Sequence, residues 1–235
     1  VSGAAALLAE ITALTTAVRQ QTWVAAELGD PPAAPAPQSP ALSGLDSAGL
    51  GWLAPFVAFL REPLDQLSGD PAPVTCGARE YDRAGRDVLS AVATYRRTAG
   101  GHDDADRDDY ADALAVLGVS CTVVASALAG VAEVAERVAR IVAGIVAEAV
   151  AEIVPVMTEA LARSAATFGT SVAAAVPWCV GIAVAAGERI ASTLAAWVAS
   201  GRNLLELVAG AVAVMRAGRH VLSGISSQHS EGESG

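Results

Sequence analysis

Six aspartates fall within one ten-residue stretch, Asp103, Asp104, Asp106, Asp108, Asp109 and Asp112, and alternating carboxylates are how a calcium-binding loop gathers its ligands. Counted from Asp104, the first three alternating positions match such a loop. Its sixth position should be a glycine and is Asp109; its twelfth should be a bidentate acid and is Ala115. The cluster therefore reads as acids opening a helix, where they complement the helix dipole, and no metal ion is expected. The three histidines, His102, His220 and His229, fall in a turn, near a helix end and in a polar tail. No H-E-x-x-H, G-x-S-x-G, phosphate-binding or dinucleotide-binding pattern occurs. Ser/His/Asp and Cys/His combinations lie on separate elements with nothing to orient them, so neither a catalytic site nor a cofactor is expected. Cys76, Cys121 and Cys179 form no C-x-x-C pair and read as buried small hydrophobes.

Charge narrows the partners. The 25 acids exceed the 15 basic residues, all of them arginine, for a formal net charge of −10; a phosphate backbone needs the opposite balance, and no nucleic acid is expected. Arg79, Arg83 and Arg86 form a stripe, but Glu80, Asp82 and Asp87 interleave with it, leaving a solvated helix face. Trp178 and Trp197 are aromatic anchors of the kind found at membrane interfaces, although on helices of this composition packing is the default.

These side chains must be carried by helices. Aromatics make up 4% of the chain, and β-branched residues sit among alanines, which favours interdigitated helices over sheet. Helical spacing of Leu7, Leu8, Ile11, Leu14, Val18 and Trp23 predicts a helix over residues 4–28, stopped by Gly29-Asp30-Pro31-Pro32. Five prolines in residues 31–43 mark an extended linker. A short helix follows over 52–61, with Phe56, Val57, Phe59 and Leu60 supplying apolar surface. From Asp70-Pro71, a cap followed by a first-turn proline, a heptad runs to Thr98. Ala78, Gly85 and Val92 occupy one core position; Val74, Tyr81, Val88 and Tyr95 occupy the other, and the charges fall outside the seam.

After the break at Ala99-Gly100-Gly101-His102-Asp103-Asp104, a second helix starts near Asp106, with Tyr110 in its opening turns. Leu114, Cys121, Leu128, Ala135, Val142 and Ala149 alternate with Leu117, Val124, Val131, Val138 and Ile145 to about Pro155, a helix of roughly 70 Å. Folded back on the first, it places Tyr81 opposite Val124 and Val74 opposite Val131, with Tyr81, Val88, Tyr95 and Tyr110 as hairpin packing residues. Residues 113–132 carry no charge on any face, so one partner helix cannot cover them. Residues 190–215 have their own seam and are the first choice of cover. The surface left over, carried by Leu117, Val124, Val131, Val146 and Val150, is assigned to a partner.

The stretch Pro63-Leu64-Asp65-Gln66-Leu67-Ser68-Gly69-Asp70-Pro71, with Tyr81 in the first hairpin helix and Asp109-Tyr110 opening the second, resembles the WXG-type helical-hairpin proteins associated with actinobacterial type VII (ESX) secretion. In the turn where such proteins carry W-x-G, this chain has His102-Asp103-Asp104. No tyrosine is followed four residues later by an acid, the export signal that often follows such hairpins: Tyr81 leads to Gly85, Tyr95 to Ala99 and Tyr110 to Leu114. The resemblance implies a partner-binding protein of that pathway, secreted or associated with the cell envelope; without it, a cytoplasmic protein is expected. The apolar N-terminus has no basic leader, so the general secretory route is not expected.

The sequence thus predicts an all-α fold, a long antiparallel helical hairpin extended into an elongated helical bundle. Residues 1–30 form an N-terminal helix, 31–46 a Pro-rich linker, 47–155 the short helix and main hairpin, 156–225 C-terminal helices interrupted near Gly169 and Pro177, and 226–235 a disordered tail. The expected function is a non-enzymatic interaction protein of a type VII-like pathway, acting as substrate, co-substrate or carrier, with a helical-hairpin partner or a second copy of itself. The alternative is a membrane-active or lipid-binding protein, since the uncharged runs 113–132 and 164–187 are each about the ~20 residues of a membrane crossing.

Overall fold

The computed structural model describes residues 3–31, 42–67, 69–70, 72–98 and 105–232. Every regular element among them is helical, as the composition requires. In order these are α1 (Gly3–Arg19), α2 (Ser43–Ser47), α3 (Ala54–Val57), α4 (Arg61–Leu67), α5 (Ala72–Thr98), α6 (Ala105–Ala162) and α7 (Thr170–Gly232), with single 3-10 turns at Ala26–Leu28, Gly51–Leu53 and Ala58–Leu60. The chain divides into two compact units: Val1–Val24 with Pro71–Glu133 and Ala199–Gly235, and Ala25–Asp70 with Val134–Val198.

The first unit is a four-helix bundle. α5 runs antiparallel to α6 in the register the heptads give: Gly77 lies by Leu128, and Gly85 by Gly118 and Cys121. The crossing is tight because both helices put glycine at it. A Cβ on Gly85 would lie 2.8 Å from the Gly118 carbonyl oxygen, and one on Gly118 would lie 2.9 Å from Leu89 Cγ. Near the connected end of this pair the Tyr95 and Tyr110 rings meet at 5.6 Å, tilted by 57°, and Arg96 pairs with Asp112. The connection at residues 99–104, with His102, Asp103 and Asp104, lies outside the described residues.

Yet α5 is not the main cover of α6. Only Gly85 and Val92 of α5 are buried, whereas Ala113, Val116, Ser120, Val123 and Ala127 of α6 are buried, one face round from the predicted seam. α1 and α7 cover that face. Leu8 packs beside Ala111 and Ala115, Trp23 lies against Gly130, and Val116 against Gly218. The uncharged stretch is thus covered within the chain by α1 and by the C-terminal helix, whose contact with Val116 falls at Gly218, just past the expected 190–215. Gly130 leaves room for the indole of Trp23.

α1 ends earlier than the Gly29-Asp30-Pro31 signal suggests. Gln21 adopts φ +54°; its N–H donates to Val18 O at 3.1 Å, and the Thr22 N–H donates to Ala17 O at 3.2 Å. This is the paired hydrogen-bond closure that usually takes glycine at its left-handed position. Trp23 then turns back into the bundle, almost fully buried, with Nε1 donating to Val18 O at 3.2 Å. Burial of a Trp side chain offsets the ~1–2 kcal/mol cost of a non-glycine residue in that conformation.

The second unit sets the short helices against its own parts of α6 and α7. Leu50, Leu53, Val57 and Leu60 are buried at spacings of three and four, so one ridge faces inward through α3 and the turns on either side of it. That phase turns Trp52 and Phe56 outward, and leaves Phe59 partly exposed with one edge of its ring beside Gly187 of α7. Arg137 donates through Nη2 to the Gly29 carbonyl and to Asp30 Oδ1, the latter at 2.6 Å. Arg189 donates to Glu148 at 2.8 Å, and Ser171 Oγ to the Ala160 carbonyl at 2.8 Å, so α7 returns antiparallel to α6.

Pro155 and Pro177 do not end helices: α6 runs through the first to Ala162 and α7 through the second. Buried Ile153 and Met157 flank Pro155, and buried Ala175 and Cys179 flank Pro177. This packing offsets the ~3 kcal/mol that an interior proline costs a helix. The predicted break at Gly169 is real. Residues 163–169 form the α6–α7 turn, with Phe168 at φ +50° and Gly169 at φ +83°. Helix α7 extends to Gly232, through most of the segment expected as a disordered tail.

Candidate docking surface

The residues expected on a partner-facing surface separate into two groups. Leu117, Val124 and Val131 are half-buried in the first unit. Val146 and Val150 are buried in the second; α2 lies over Val150, where a Cβ added to Gly44 would come within 3.0 Å of Val150 Cγ1. These two valines are core, and α2, which covers Val150, gave too little periodic signal to be read as cover. Of the hairpin packing residues, Val88, Tyr95 and Tyr110 are half-buried, but Tyr81 is 47% exposed.

The cysteines differ as well. Cys179 is buried, Cys121 is half-buried beside Gly85, and Cys76 is exposed. Burial pushes the Cys179 thiol above its ordinary range, a hydrogen bond to its own backbone offsetting part of the rise. Arg79, Arg83 and Arg86 all face solvent, and Arg86 donates to Asp82 at 2.8 Å. Among the described residues no group of three or more His, Cys, Asp or Glu comes together.

Exposed apolar side chains concentrate instead on the second unit. Phe168, at the α6–α7 turn, is 97% exposed, Trp178 is 65% exposed, and Val184 is also exposed. Residues 164–187 carry no charge, so the stretch of chain that holds these three side chains is itself neutral. Phe168 combines a left-handed backbone with a ring that touches almost nothing, so no packing within the chain compensates its strain.

Beside this surface, α6 and α7 enclose a groove of two adjoining hollows, about 390 and about 380 Å3. Ile145, Ala149, Ile182 and Ala186 make an apolar floor, with Pro177 and Trp178 at one end. The Glu148–Arg189 ion pair borders both hollows, and Asp30 and Thr193 mark the far end. Trp178 was expected to pack. Sequence spacing could not reveal the groove, because its two walls are far apart in the chain: Glu148 and Arg189, which pair across it, are separated by 41 positions.

No family model, curated protein or solved structure matches the chain.

Proposed function

We propose that the protein is a non-enzymatic helical interaction protein that docks a protein partner, or a second copy of itself, through the exposed surface of its second unit. The observation that carries this is the neutral run 164–187 with Phe168, Trp178 and Val184 exposed along it. Exposed apolar surface marks interaction sites, and aromatic residues are enriched in them. In its narrower form, the reading makes α5 and α6 the hairpin of a type VII (ESX-like) substrate, co-substrate or carrier, extended into a bundle by α1 and α7. Sequence resemblance around residues 63–71 and 109–110 supports that form, as does the antiparallel packing of α5 on α6.

A second reading is a lipid-binding protein, because α6 and α7 are each long and apolar enough to cross a membrane by length and composition. Glu148, Glu152 and Glu159 are exposed along the C-terminal part of α6, and Arg163 just after it, and burying such charges in hydrocarbon is costly; this favours the protein partner.

Sedimentation of the purified chain, alone and mixed with a small helical-hairpin protein, tests the proposal. The expected result is an oligomer or a defined complex, weakened by Phe168→Ser and Trp178→Ser. A monomer that binds no protein and floats with liposomes would replace this reading with the lipid one.

A further inference from the structure

Charges around the groove are unevenly matched. Glu148 and Glu152 lie one turn apart on α6 and both line it, but only Arg189 faces them, and it is engaged with Glu148 at 2.8 Å. No pair is formed by Glu152 among the described residues, and Arg163, the first cation after it in the chain, is tied to Glu159. Two like charges at i,i+4 repel, so the groove holds one carboxylate in excess next to an exposed indole.

We propose that this groove docks a helical segment of a partner protein that carries an arginine or lysine among apolar residues, the cation settling against Glu152 and over the face of Trp178. The inference rests on the docking function proposed above and names the chemistry of the partner. A cation over an indole is attracted by the ring quadrupole, and the attraction strengthens when the pair is shielded from water. The floor of Ile145, Ala149, Ile182 and Ala186 accepts apolar side chains at helical spacing, as in other grooves that bind helices. Between Pro177 and Thr193 the groove follows sixteen residues of α7, or ~24 Å, the length of about four helical turns. An anionic lipid headgroup would meet the excess carboxylate, so the occupant is a protein segment rather than an acidic membrane.

The test uses three synthetic helical peptides of about 16 residues, identical and apolar along one face except for a central Arg, Gln or Glu. Each is labelled and titrated with the full chain by fluorescence anisotropy. The Arg peptide should bind about tenfold tighter than the Gln peptide, and the Glu peptide weakest. Glu152→Gln should abolish the preference for Arg while leaving the Gln peptide's affinity unchanged, and Trp178→Leu should reduce that preference. Glu206→Gln, an exposed acid in the first unit, should change nothing. Equal affinity for the three peptides, or an Arg preference that survives Glu152→Gln, overturns the inference and leaves the docking function standing. Failure of all three to bind, with phosphatidylcholine vesicles shifting the Trp178 emission instead, overturns it in favour of lipid.

Discussion

Replacing Gly85 with alanine separates two effects of opposite sign. In an unobstructed helix the change should stabilise by ~0.5–1 kcal/mol, because glycine loses more backbone entropy on folding. At Gly85 the added Cβ would lie 2.8 Å from the Gly118 carbonyl oxygen, 3.0 Å from Thr122 Oγ1 and 3.3 Å from Cys121 Cβ. The nearest obstacle is backbone, so relief requires α5 and α6 to move apart and give up contact along the crossing, an overpacking cost of ~1–3 kcal/mol. Net destabilisation of about 1–2 kcal/mol is expected. Gly201→Ala on α7 is the matched control: nothing lies within 4 Å of its added Cβ, so only the entropic gain remains. Urea denaturation followed by far-UV circular dichroism measures both. If the two variants stabilise the protein to the same extent, α5 does not cross α6 at Gly85 and the assigned register is wrong.

Val123 is fully buried while its neighbour Val124 is half-buried; Val123→Asp should therefore cost about 3 kcal/mol or more, and Val124→Asp clearly less. Equal losses in denaturant midpoint would show that the buried face of α6 has been misplaced. With a thiol reagent Cys76 should react at once, and Cys179 only as fast as the protein opens. Because burial raises the folded-state pKa of Cys179, the unfolded chain releases that proton first. Stability should then fall as pH rises above about 8.5, and Cys179→Ala should flatten this dependence; an unchanged slope would count against it. Phe168→Gly should be neutral or stabilise by up to ~1 kcal/mol, since it relieves a left-handed residue that packs on nothing, while weakening self-association or partner binding. A large loss of stability would mean that the ring is buried in solution.

Where the sequence carried a long periodic signal, the fold could be read from it. The α5 and α6 heptads hold their charges outside the seam, so direction and register followed from Gly85, Val92 and their partners. α1 misled because its stop is made by Gln21, a residue with no preference for the left-handed conformation, eight positions before a conspicuous Gly-Asp-Pro run. Pro177 misled in the opposite sense, since whether packing outweighs a helix-interior proline depends on neighbours distant in sequence. Less of the candidate site was legible. The neutrality of residues 164–187 could be seen, but exposure of Phe168 and Trp178, and the facing of Glu152 by α7, exist only once α6 and α7 are paired. Val146 and Val150 were assigned to a free face for the related reason that α2, which covers Val150, is five residues long.

Trp23, fixed by the early end of α1, also has an optical consequence. It is the sole tryptophan of the first unit, whereas Trp52, Trp178 and Trp197 all belong to the second. A buried indole emits at shorter wavelength than the exposed rings of Trp52 and Trp178, so the blue edge of the fluorescence spectrum reports on one unit and the red edge is weighted to the other. The wild-type chain therefore carries its own pair of colours, with which the melting of each unit can be timed without attaching a dye.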